Sequence, residues 1–114
     1  MKILIKRLLR EGLENNQIGY KVMKYENGQL VSGANSRLAF PAKVGTILDM
    51  PGNGIYMSPN KDYVLDYYSG LAENEVLVTF EFNPNEITFG NLADKEPEIA
   101  VNKAKIVNLE ELNN

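Results

Sequence analysis

The chain contains no cysteine and no histidine. Without cysteine there is no disulfide frame and no thiolate metal site. Without histidine the commonest general base and metal ligand is missing, and no Ser-His-Asp or Cys-His triad can be assembled. Long apolar runs are also missing, since none approaches the ~18 residues of a membrane span. The first residues, MKILIKRLLREGL, are charged like the start of a signal peptide. They have neither a clean apolar centre nor a small-residue cleavage site, so they read as mature protein. The formal net charge of −3 argues against a broad nucleic-acid footprint, and only the amino end is basic. Gly52-Asn53-Gly54 lacks the third glycine and the Lys-Ser/Thr of a phosphate-binding loop. Together these absences point to a cytoplasmic setting, in bacterium, phage or host, with no membrane and no metal.

What is present describes one globular domain. The 114 residues are 44% hydrophobic and 24% charged, enough to bury one modest core and no second one. Residues 1–16 are predicted to form an amphipathic helix. Ile3, Leu4, Leu8, Leu9 and Leu13 recur at helical spacing, with Lys6, Arg7 and Arg10 on the other side. Two readings stand for it: a packing or capping helix, or a basic face for an acidic partner. Arg37, the one arginine outside this segment, reads as a solvated loop residue or as a ligand clamp.

The core of the domain spans residues 18–112. Ile18–Tyr25 is rich in strand formers, and Asn27-Gly28 is the strongest short hairpin signal, with Leu30-Val31-Ser32 as the returning strand. Residues 33–46 read as irregular, with Leu38-Ala39-Phe40 as a short strand or anchor. After the glycine-rich turn at 51–54, Ile55-Tyr56-Met57 is a short strand. Ser58-Pro59-Asn60 stops it and starts a helix carrying Tyr63, Tyr67 and Tyr68. Glu75–Phe82 alternates strictly, with Val76, Val78, Phe80 and Phe82 on one face. Residues 86–89 suggest another short strand, and 98–107 a last strand or pair of strands, after which LEELNN is expected to fray. The class is α+β, with short, mostly antiparallel strands in one sheet or a pair, and with an N-terminal and a mid-chain helix.

Two stretches carry possible chemistry. Glycines allow close backbone approach and tyrosines supply flat faces with a polar tip, so Gly52–Tyr68 suits one wall of a pocket for a flat, polar ligand. Glu96 and Glu98 are two apart, and in a strand both point to one face. Such a pair can serve glycosyl transfer by stabilising a cationic sugar, or it can be a surface pair guarding an edge strand. Glu110 and Glu111 read as a solvated tail.

Gly52-x-Gly54-Ile55-Tyr56, followed by a helix with Tyr67, resembles the ADP-ribosyltransferase fold, nearest to its diphtheria-toxin and poly(ADP-ribose) polymerase branch. That branch carries a G-x-G-I-Y-F segment and then a helix whose tyrosine stacks on nicotinamide. Glu98 with Val101, then Val107-Asn108-Leu109 and Leu112, is similar to the strand that opens with the family's catalytic glutamate. Glu96-x-Glu98 also looks like the Glu-x-Glu loop of the arginine-modifying toxins. The order of segments agrees, and the likeness covers roughly residues 18–112, although only these two segments match specifically. The resemblance implies a split sheet and NAD as substrate. It gives catalytic roles to Glu98, on the ribose hydroxyl, and Tyr56, beside the nicotinamide. It gives cofactor contacts to Gly54, to Ser58 on the carboxamide, to Tyr67 stacked on the ring, and to Glu96. The family's first-strand histidine or arginine is replaced here by Tyr20 and Lys21, the residues left to hold NAD at that place. The implied activity is transfer of ADP-ribose to an unidentified acceptor. The alternative is a catalytically inactive phage-type or mobile-element protein that uses the fold to bind a host protein.

Overall fold

In a computed structural model, residues 16–32, 38–52, 54–70, 73–94 and 98–112 are described. The N-terminal amphipathic helix, Arg37 and Glu96 lie outside them. The described part is α+β, with nine strands and one α-helix. The strands are β1 (Gln17–Glu26), β2 (Gln29–Val31), β3 (Ala39–Pro41), β4 (Ile47–Asp49), β5 (Ile55–Met57), β6 (Glu75–Phe82), β7 (Ile87–Phe89), β8 (Ile99–Val101) and β9 (Lys103–Glu111). The helix α1 (Lys61–Tyr68) lies between β5 and β6, and a 3₁₀ turn (Pro84–Glu86) precedes β7. A six-stranded sheet runs in the order β3-β2-β1-β6-β9-β4, and a three-stranded sheet in the order β5-β8-β7. Every strand pairing is antiparallel.

Local chemistry accounts for these elements. Asn27 and Gly28 both take positive φ, as a tight hairpin turn with right-handed twist requires, so Tyr25 is set opposite Leu30. The Asn60 side chain caps α1 by accepting the Tyr63 N–H at 3.0 Å, and Asp62 places negative charge in the first turn. Ile47–Asp49, for which there was no expectation, pairs with Lys103–Lys105 as β4. One expectation is corrected: Leu109–Glu111 does not fray, because it pairs with Val76–Val78 of β6.

Both sheets contribute to one core. Met23, Val76, Val78, Phe80 and Ile106 from the large sheet pack in one cluster with Ile55, Met57, Ile99 and Val101 from the small one. Phe80 is fully buried and meets Phe40 edge-on at 6.3 Å between ring centres. The sheets come close together at Gly19 on β1. A Cβ there would collide with the Met57 sulfur and lie 2.8 Å from Met57 Cγ. One residue further on, Tyr20 and Ser58 exchange backbone hydrogen bonds of 2.7 and 3.0 Å, which tie β1 to the end of β5.

Candidate functional site

Beside the Tyr20–Ser58 bridge lies a solvent-open cleft of about 110 Å³. Its floor is β1, contributing Tyr20, Lys21 and Val22. One wall is the end of β5, with Tyr56, Met57 and Ser58; another is α1, with Tyr63, Val64 and Tyr68. Glu98, immediately before β8, completes the rim. β8 is the middle strand of the small sheet, so Glu98 does not open an edge strand, which removes the aggregation-guard reading for this residue.

Strand periodicity settles how β1 presents its residues. Gly19, Lys21 and Met23 share a face, opposite Phe80, Val78 and Val76, and both Gly19 and Met23 are buried. Lys21 therefore stands on the core-facing side of β1, where the floor of the cleft interrupts the apolar row. Burial pushes its ammonium below the usual lysine range, and the nearby charge of Glu98 acts in the opposite direction.

Glu98 is held from two sides. The Tyr68 hydroxyl donates to Glu98 Oε2 at 3.0 Å, joining the helix to the small sheet. Gly90 lies so close behind that a Cβ on it would collide with the Glu98 carbonyl oxygen. Burial, followed by hydrogen bonds with Glu98 and Tyr63, raises the Tyr68 phenol above the ordinary tyrosine range. The phenol therefore stays protonated as a donor to the carboxylate. Ser58 is buried and its Oγ accepts the Asn60 N–H at 3.1 Å, which leaves its O–H available as a donor. Tyr56 is partly exposed, and its ring lies 5.9 Å from that of Phe89. Both residues are in register with Ala100.

Of the residues singled out from sequence, Tyr20, Lys21, Tyr56, Ser58 and Glu98 line this cleft. Two others do not. Tyr67 is 61% exposed, with its ring 4.8 Å from that of Tyr63, and Tyr68 stands in the cleft in its place. Gly54 touches the small sheet rather than the cleft: its φ is +73°, and a Cβ would sit 2.8 Å from the Val101 carbonyl oxygen. The sequence holds a partial signal for Tyr68: at about 100° per residue it falls between Val64 and Leu65, the two aliphatic residues of α1. Val64 is indeed buried and Leu65 half-buried.

The arrangement offers aromatic faces, a hydroxyl donor, an amine and one oriented carboxylate. It suits a flat, polar ligand and the stabilisation of a developing positive charge more than strong-base chemistry. Among the described residues no cluster of three or more carboxylates could hold a metal ion, and no helix is long and apolar enough to cross a membrane. No protein-family model, curated protein or solved structure matches the chain.

Proposed function

We propose that the chain is a minimal ADP-ribosyltransferase-like domain that binds NAD in this cleft and transfers ADP-ribose to an acceptor. The observation that carries the reading is convergence. Tyr56, Ser58 and a tyrosine of the following helix line one cleft with Glu98, which is 30 residues beyond Tyr68 in the chain. The two antiparallel sheets joined beside that cleft support the fold reading. In this proposal the nicotinamide ring lies against Tyr56 and Tyr68, and the Ser58 hydroxyl donates to its carboxamide. Glu98 accepts a ribose hydroxyl. The glycosidic C–N bond breaks, its electron pair leaves with nicotinamide, and the carboxylate stabilises the positive charge left on the sugar. The acceptor nucleophile then forms the new bond at the same carbon. Tyr68 acts as a positioning residue that fixes Glu98 Oε2.

Nicotinamide release, followed chromatographically, tests the reading. Glu98→Gln is expected to abolish NAD turnover and leave the melting temperature close to that of the parent. Unchanged turnover overturns the assignment. A docking protein of the same architecture is the second reading, favoured by Lys21, a point charge where the resembling family has an arginine or histidine. A thermal-shift titration separates the two: no shift at roughly millimolar NAD, well above ordinary working affinities, selects the docking protein.

A further inference from the structure

We infer that Lys21 is a reactive amine that condenses with a small aldehyde bound in the cleft to form an imine. The inference is independent of NAD. It starts from the placement of the side chain, on the core-facing side of β1 between Gly19 and Met23, at the floor of an open cavity. A lysine with only a structural role has no reason to interrupt that apolar row. Among the described residues no ion pair accounts for it: the charge of Glu98 acts on Lys21 but does not fully offset its burial. A desolvated lysine is the usual nucleophile toward carbonyl compounds, because only the neutral amine attacks. Burial lowers the proton affinity of Lys21, and the other charged group lining the cleft, Glu98, only partly offsets this. Each unit by which the pKa falls multiplies the neutral fraction about tenfold.

Imine formation also needs a proton delivered and a proton removed, and the Tyr68–Glu98 pair can do both. Lys21 Nζ adds to the carbonyl carbon, forming a C–N bond while the carbonyl π pair moves to oxygen. Glu98 takes a proton from the nitrogen, the Tyr68 phenol gives one to the alkoxide, and the proton on Glu98 returns to Tyr68 along their hydrogen bond, leaving the neutral carbinolamine. In a second round the phenol protonates the carbinolamine hydroxyl, and water leaves as the nitrogen lone pair closes the C=N bond. Glu98 takes the remaining nitrogen proton, and that proton again returns to Tyr68. The sum is amine plus aldehyde giving imine plus water. The tyrosine faces select a flat carbonyl compound, and a cleft of about 110 Å³ that opens to solvent suits a single small ring.

The test uses the whole chain without NAD, incubated with pyridine-3-carboxaldehyde and cyanoborohydride. Hydride converts each imine to a stable secondary amine, which peptide mass spectrometry assigns to a particular lysine. Lys21 is expected to label about tenfold faster than the exposed Lys43, Lys61, Lys103 and Lys105, although it is less accessible than any of them. Tyr68→Phe is expected to lower labelling at Lys21 about tenfold and leave the exposed lysines unchanged. Labelling of Lys21 no faster than the exposed lysines overturns the inference, as does a Tyr68→Phe protein with the parent's Lys21 rate. Neither outcome depends on whether NAD binds, so failure here and failure of the transferase reading are told apart.

Discussion

Replacing Gly19 with alanine sets two effects of opposite sign against each other. Gly19 is not in the left-handed region, so alanine can adopt its backbone conformation. In an open site such a change stabilises by about 0.4–1 kcal/mol, because the unfolded chain loses freedom. Here the new methyl would overlap the Met57 sulfur, lie 2.8 Å from Met57 Cγ and 3.3 Å from the Phe82 ring. Met57 is 3% exposed and sits in the shared core, so its side chain has little room to move away. Overpacking of this kind costs about 1–3 kcal/mol, which outweighs the entropic gain. The net expectation is a loss of roughly 0.5–2.5 kcal/mol, read as a lower urea midpoint at unchanged slope, with a melting temperature down by several degrees. Met57→Ala alone should cost about 2–5 kcal/mol through the cavity it leaves. The double variant should then be more stable than the sum of the two single losses predicts, because each change relieves the other. A Gly19→Ala protein as stable as the parent, or strict additivity in the double variant, would refute the close contact at the junction of the sheets.

Other expectations follow from single sites. Gly54→Ala combines left-handed strain with overlap on the Val101 carbonyl and should destabilise by about 2–5 kcal/mol in urea unfolding. Asn60→Ala removes the cap of α1 and should cost about 1 kcal/mol, with α1 amides exchanging faster than those of β6. Lys21→Met tests the lowered proton affinity of this lysine. The folded pKa lies below the ordinary value of 10.5, so the unfolded chain binds the proton more tightly, and the parent gains stability as pH rises through the interval between the two. The methionine variant lacks that gain. Its advantage over the parent should therefore be largest at neutral pH and shrink as pH approaches 10.5, and a difference that stays constant with pH contradicts the assignment.

Much of the local structure was legible from residue chemistry. The Asn27-Gly28 turn, the Asn60 cap and the alternation of Glu75–Phe82 each announce themselves over a few residues. Other features depend on partners distant in the chain. β4 is three residues long and exists because Lys103–Lys105 lie beside it, and Leu109–Glu111 is a strand only because β6 is there to pair with. The site divides in the same way. Tyr56, Ser58 and Glu98 follow from motif and spacing, whereas choosing Tyr68 over Tyr67 requires knowing which side of α1 is buried. The contact of Gly19 with Met57 leaves no trace in composition or periodicity, because it arises where two sheets cross. Gly54 was assigned to a ligand, but its conformation and its neighbour make it a spacer between β5 and β8.

The order of strands in the large sheet bears on how quickly the cleft can come into being. Its centre is β1-β6-β9, so Gln17 pairs with Phe82, and Val76 with Glu111. Pairings that span so much chain close large loops before any contact offsets the lost entropy, which places folding in the slow range of milliseconds to seconds. During synthesis Lys21, Tyr56 and Tyr68 all emerge before Glu98, and β9 follows it. A nascent chain would hold the floor and two walls of the cleft well before the carboxylate that completes it.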